Sequence, residues 1–242
     1  MRFRPSTAAV LVLLTLAVVV LCALGTWQVY RLLESREADA LREARVAATP
    51  LDWAAARALP NEEVTYRIVR VAGRWDHAHT MLIANRDQYF TLGREAVTPL
   101  LPEGGGPAIL VNRGWFPDGR QGEVLAALAT EPGATVEGLA RYVGDELLPG
   151  RQLPSGQWTR LDPAVMGREL PYEVVPWQLT QGRREIPGDE RQPPTVFPVQ
   201  RYRVGGFTPP HLDYIITWYG LAIALVATAV IRLRKRAAPP PA

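Results

Sequence analysis

The 242-residue chain has one cysteine, one lysine and three histidines. A single cysteine, Cys22, excludes an intrachain disulfide, a Cys-x-x-Cys redox site and any thiolate pair that would hold copper or zinc. Cys22 follows Leu21 inside an apolar run, where lipoprotein processing wants a small residue, so it reads as a small membrane-buried hydrophobe. The lone lysine, Lys235, lies near the C-terminus, away from any phosphate-binding loop. Gly-x-Ser-x-Gly, His-Glu-x-x-His and dinucleotide-binding patterns are also missing. These absences point away from an enzyme. Gly104-Gly105-Gly106 is followed by no helix start that would bind an anion, and it reads as a flexible hairpin loop.

Positive charge is scarce where a nucleic-acid reader would need it. Residues 31–213 carry 21 arginines against 24 acidic residues, a net of −3. Arg2 and Arg4 at one end and Arg232, Arg234, Lys235 and Arg236 at the other bring the chain to +3 and its pI to about 9.2. Basicity therefore belongs to the tails, and the middle cannot release counterions from phosphates. No nucleic-acid partner is expected. Hydrophobic content of 48% with mean hydropathy near zero fits neither a polytopic carrier nor a disordered chain.

What is present is two long apolar runs. Pro5 to Tyr30 holds no charge, and its centre is almost entirely Ala, Val and Leu, enough for a bilayer-crossing helix over 7–30. The run is long for a signal peptide and no Ala-x-Ala site ends it, so a retained span is expected. A second span, 211–231, opens on Tyr214, Trp218 and Tyr219 and closes on the Arg/Lys cluster of a basic tail, 232–242. That cluster predicts both termini in the cytoplasm and the central segment outside it. No Ser/Arg-rich transit stretch precedes the first span, which points to a bacterial inner membrane.

Between the spans, 31–60 reads as a helical stalk. Arg31 to Ala48 is rich in Leu, Ala, Glu and Arg, and Thr49, Pro50 and Asp52 have the spacing of a second helix start before Trp53 to Leu59. From Val64 the period changes to two, with strands expected at 64–71, 81–84, 96–101, 108–112, 135–142, 157–161 and 172–180. One helix is expected at 121–130, and 183–198, with four prolines, reads as an irregular loop. The fold class is α+β: two transmembrane helices flanking an extracytoplasmic, antiparallel β-rich domain, 61–210, in the form of a sheet or small barrel.

Three histidines can be weighed. His77 and His79, beside Asp76 and bracketed by Trp75 and Met81, sit at a hairpin and read as solvated turn residues rather than two ligands of a metal. His211 stands three residues before Tyr214 at the mouth of the second span, where an imidazole either caps the helix entry or ligates haem iron. Arg113, after an apolar strand, either clamps a carboxylate such as a haem propionate or pairs with an acid inside the domain. Gly114 reads as a turn or bulge.

Four segments in order carry a resemblance. They are Leu24-Gly25-Thr26-Trp27-Gln28-Val29-Tyr30-Arg31; Tyr66-Arg67 with Val69, Val71 and Gly73; Val111-Asn112-Arg113-Gly114-Trp115-Phe116-Pro117; and His211-Leu212-Asp213-Tyr214 with Thr217-Trp218 and Ala222. Together they resemble the surfeit locus protein 1 family of cytochrome c oxidase biogenesis proteins. Pro210 stands where the family often has Asn, and the Trp-Lys common shortly after the Arg31 position is missing. The resemblance implies a non-catalytic assembly factor that holds or presents haem A to subunit I of a haem-copper oxidase, alongside other assembly factors. It puts His211 forward as iron ligand, with Trp27, Tyr214 and Trp218 lining the membrane boundary and Arg113 and Arg31 as weaker propionate contacts. The competing reading is a haem-independent scaffold that grips oxidase subunits through a sheet edge or apolar patch.

Overall fold

The structure is a computed structural model and describes residues 7–144, 148–186, 188–189, 194–204 and 210–237. Arg2, Arg4 and the tail beyond Ala237 lie outside the described residues, as does part of the 183–198 segment. Two compact units are present, one made of the chain's two ends, Met1–Leu41 and Gly205–Ala242, the other Arg42–Val204.

The first unit contains α1 (Thr7–Ala47) as far as Leu41 and a C-terminal helix (His211–Ala237). Both are long and apolar enough to cross a membrane. Of 25 large apolar side chains exposed among the described residues, 20 lie on these two helices, a density that water would penalise and lipid would not. Thr217 and Thr228 donate their hydroxyls to the carbonyls of Asp213 and Ala224, so these polar groups are satisfied within their own helix.

In the second unit, the end of α1 is followed by β1 (Leu51–Asp52), α2 (Trp53–Ala58) and α3 (Asn61–Val64). The cap of α2 is Asp52, whose Oδ1 accepts from the Ala55 amide at 2.7 Å, three residues later than the expected Thr49. The strands are β2 (Ile68–Trp75), β3 (Met81–Gln88), β4 (Thr91–Pro102), β5 (Ala108–Pro117), β6 (Ala134–Tyr142) and β7 (Val174–Gln181), with α4 (Gln121–Ala129) and α5 (Pro163–Met166) between them. A short pair, β8 (Arg183–Arg184) and β9 (Arg201–Tyr202), stands apart within the stretch expected to be irregular. The last element, His211–Ala237, is α6.

The main sheet has the order β1-β2-β6-β7-β5-β4-β3. It is mixed rather than antiparallel, because β1–β2 and β5–β7 pair parallel. The second of these needs a long crossover, which the turn-rich sequence did not announce. β2 also pairs twice, with β6 through Ile68–Gly73 and with β4 through Gly73–Trp75, so β2, β6, β7, β5 and β4 close on themselves. A closed sheet hides its edges. Alternation in β2 sends Val69, Val71 and Trp75 into the enclosed core with Leu100, Ile109, Val111, Trp177 and Leu179. From Ala108 to Phe116 β5 is buried on both faces, with Leu110 in a second cluster around Ile83, Trp158 and Met166.

Two strand expectations are corrected. Val64 belongs to α3 and Tyr66 has φ 66°, so the backbone turns before β2 and the strand begins at Ile68, four residues later than the alternation suggested. Residues 157–161 form no strand; Trp158 instead makes isolated bridges to Ile83 and Gln152 that cover one end of β3.

Candidate functional site

In the helix pair, Gly25 is buried, and a Cβ built there would lie 3.0 Å from the Tyr219 ring, so glycine lets the two helices approach closely. Thr26 Oγ1 and the Tyr219 hydroxyl are 2.9 Å apart. Three residues after Gly25, on the same helical face, the carboxamide of Gln28 meets His211 with Oε1 2.8 Å from Nδ1. Gln28 and His211 are both buried, at 9% and 8% exposure, the only polar side chains so buried on the two helices among the described residues. An uncompensated amide or imidazole in apolar surroundings is costly, and each here supplies the other's partner.

Of the residues the sequence proposed, His211 is therefore brought into the helix-pair interface. Trp27 and Tyr214 remain exposed and Trp218 half-buried on the same pair. Arg31 faces outward and pairs with Glu34 at 2.8 Å. Gln28 and Gly25 entered the sequence reading only as members of the first matching segment, and Tyr219 only as an interfacial aromatic, none with a site role. The signal was there, since an uncharged polar residue inside an apolar span is expensive unless used.

Arg113 belongs to the second unit and is wholly buried. Pairing of β4 with β5 jumps from Ala96↔Gly114 to Val97↔Asn112, so Arg113 is the extra residue of a β-bulge. Gly114 adopts φ 114°, and a Cβ there would sit 2.4 Å from the Val199 carbonyl oxygen, so glycine is demanded twice over. The bulge sends the guanidinium onto the Trp75 ring, 4.2 Å from its centroid, and into an ion pair with Glu131. Burial pushes the Arg113 pKa down and Glu131 opposes that. The arrangement is the internal acid pairing, and it commits the guanidinium within the domain.

His77 and His79 occupy a 3-10 turn between β2 and β3. His79 Nδ1 lies 2.7 Å from Asp76 Oδ2, which also accepts from the Tyr172 hydroxyl at 2.6 Å, and His77 Nε2 is 3.0 Å from the Glu131 carbonyl oxygen. Burial raises the Asp76 pKa, but the hydrogen bonds from Tyr172 and His79 outweigh it and hold the carboxyl below its usual range. Among the described residues no three His, Cys, Asp or Glu side chains converge as a metal centre.

The model of the SURF1 family matches residues 15–223. A SURF1-like protein of Monosiga brevicollis is 29% identical over 251 aligned positions, covering 92% of this chain and 89% of the relative. Surfeit locus protein 1 of Xenopus tropicalis is 26% identical over 88% of this chain and 72% of its own length. A SURF1-like protein of Rickettsia bellii is 24% identical over 93% and 89%.

Proposed function

The chain belongs to the SURF1 family, and from that premise we propose that it is a non-catalytic membrane assembly factor for a haem-copper cytochrome c oxidase, holding haem A for delivery to subunit I. The observation that supports this most is the imidazole of His211, buried beside Gln28 between two predominantly apolar helices. A histidine that ligates haem must be neutral with a free lone pair, in surroundings that accept an apolar macrocycle. His211 fits: one ring nitrogen is taken by Gln28, and the side chain is buried at the first turn of an apolar helix, α6. Haem A is here cargo, whose redox-active iron serves the client oxidase. His211 would hold the group through one ring nitrogen, and Trp27, Tyr214 and Trp218 would offer aromatic faces to its macrocycle at the membrane boundary.

In this reading α1 and α6 span a bacterial inner membrane with both termini in the cytoplasm, the second unit faces outward, and other oxidase assembly factors are partners. The decisive experiment is a visible spectrum of detergent-purified wild type beside His211→Ala, from cells that make haem A. A haem signal present in the first and lost in the second, at equal protein in the membrane, supports the reading. Equal haem in both would sink it.

A second reading, a scaffold that holds an assembly intermediate without haem, is favoured by the β3–β4 hairpin. Its two turn residues, Tyr89 and Phe90, have φ of 54° and 57°, a region that bulky residues avoid, and Phe90 is fully exposed. Backbone strain spent on presenting a phenyl ring to solvent suits a protein contact. Phe90→Ser would then abolish co-purification with oxidase subunit I while leaving haem content unchanged.

A further inference from the structure

We propose that Gln28 is a positioning residue for His211, fixing which ring nitrogen is available; this rests on His211 being the haem ligand. A neutral imidazole has one protonated and one lone-pair nitrogen, and whatever bonds to one decides the role of the other. The Gln28 carboxamide oxygen lies 2.8 Å from His211 Nδ1. An oxygen there accepts only from Nδ1–H, which leaves the lone pair on Nε2. Free histidine side chains favour the opposite tautomer, with the proton on Nε2, in which that nitrogen donates and cannot ligate. The bond therefore reverses the intrinsic preference.

Three features hold the arrangement. Both side chains are buried, so water does not compete for either partner. The helices approach closely at Gly25, one turn earlier on α1, where Tyr219 lies against the backbone and its hydroxyl meets Thr26. Gln28 and His211 lie 183 residues apart in sequence, so the tautomer is set only when both helices are paired. Outer partners of this kind, which donate or accept at the far nitrogen of a ligating histidine, fix the ring orientation as well as its proton. Gln28 does not touch the cargo in this scheme. It acts through His211.

The test begins without haem. Full-length protein labelled with ¹⁵N-histidine in detergent contains three histidines, and the spectrum of His211→Ala identifies the His211 resonances by their loss. In wild type, Nδ1 of His211 is expected to carry the proton and Nε2 to show the shift of a bare nitrogen. Gln28→Met keeps the length and removes the acceptor, and it should move His211 toward the Nε2–H form. A clip that merely held the helices together would leave this pattern untouched.

Titration with haem A then follows. Gln28→Met should bind roughly 10- to 100-fold more weakly than wild type, with a shifted band in the reduced spectrum. Gln28→Glu, which restores an acceptor oxygen at the same reach, should recover most of the affinity. A wild-type His211 with its proton on Nε2, or a Gln28→Met protein with unchanged affinity and band, overturns the proposal. Absence of haem uptake by wild type with Nδ1–H in place also overturns it, and shows in addition that the reading of His211 as ligand was the step at fault.

Discussion

At the scale of single residues, the consequence of breaking a buried polar pair depends on how deeply each partner sits. Arg113 is wholly buried while Glu131 keeps 44% of its side chain exposed. Removing the glutamate strands a charge, whereas removing the arginine leaves an acid that water can take over. Glu131→Ala should therefore destabilise the domain by about 3–5 kcal/mol, and Arg113→Met by distinctly less, as read from urea midpoints. Equal losses would contradict this account.

Asp76 gives a pH test. Its carboxyl titrates below the usual aspartate range in the folded protein, so its contribution is complete at neutral pH and is lost only in acid, as pH falls through that lowered value. Tyr172→Phe removes one of its two side-chain donors and should cost about 1.5–3 kcal/mol at pH 7. The difference from wild type should then narrow in acid. A gap that stayed constant down to pH 3 would mean that the tyrosine stabilises through packing, not through the ionised carboxylate.

At the scale of elements, two glycines do unlike work. Gly114→Ala places a methyl where the Val199 carbonyl already sits and asks alanine for a positive φ, so β5 must lose its bulge and Arg113 its direction. The expected result is a domain that folds poorly or not at all, visible as loss of the cooperative thermal transition. Gly25→Leu, in contrast, leaves the second unit's core intact. It pushes Tyr219 away and separates the helices at the level of Gln28, so the Gln28–His211 hydrogen bond should be lost while the domain's melting temperature is unchanged.

Elements also show what the sequence could reveal. The apolar runs at both ends and the cores of β5, β6 and α4 were legible because their periodicity is local. The start of β2 was not, because alternation continues through Val64 and Tyr66 while the backbone there is turned by Thr65, whose hydroxyl donates to the Asn61 carbonyl and accepts from the Tyr142 amide. That is a contact made 77 residues away. The parallel β5–β7 pairing was hidden for the same reason, since nothing in either strand names its neighbour. His211 and Arg113 were recognisable as residue types out of place, one at a span entrance and one inside an apolar strand. Their partners Gln28 and Glu131 were assigned no role, because a partner is a property of the fold.

At the scale of the molecule, the two units have separate reasons to exist. All three buried clusters of the second unit draw on residues between Ala56 and Val175 or Leu179, with none from the helix pair. Residues 42–204 expressed alone should therefore fold with a single cooperative transition and carry no haem. A molten product, with secondary structure but no cooperative melt, would show that the helices contribute to the domain's core after all.

Closure of the main sheet also imposes an order in time. β5 is complete at Pro117, yet its parallel partner begins at Val174, so about 57 residues must be made before the ring can shut. At ~5–20 residues per second that is on the order of several seconds. During this interval a strand apolar on both faces has one row of backbone groups with nothing to bind. The newborn chain is at its stickiest then, and a translation pause or a holdase acting before Val174 emerges would govern yield more than any gain in the stability of the finished fold.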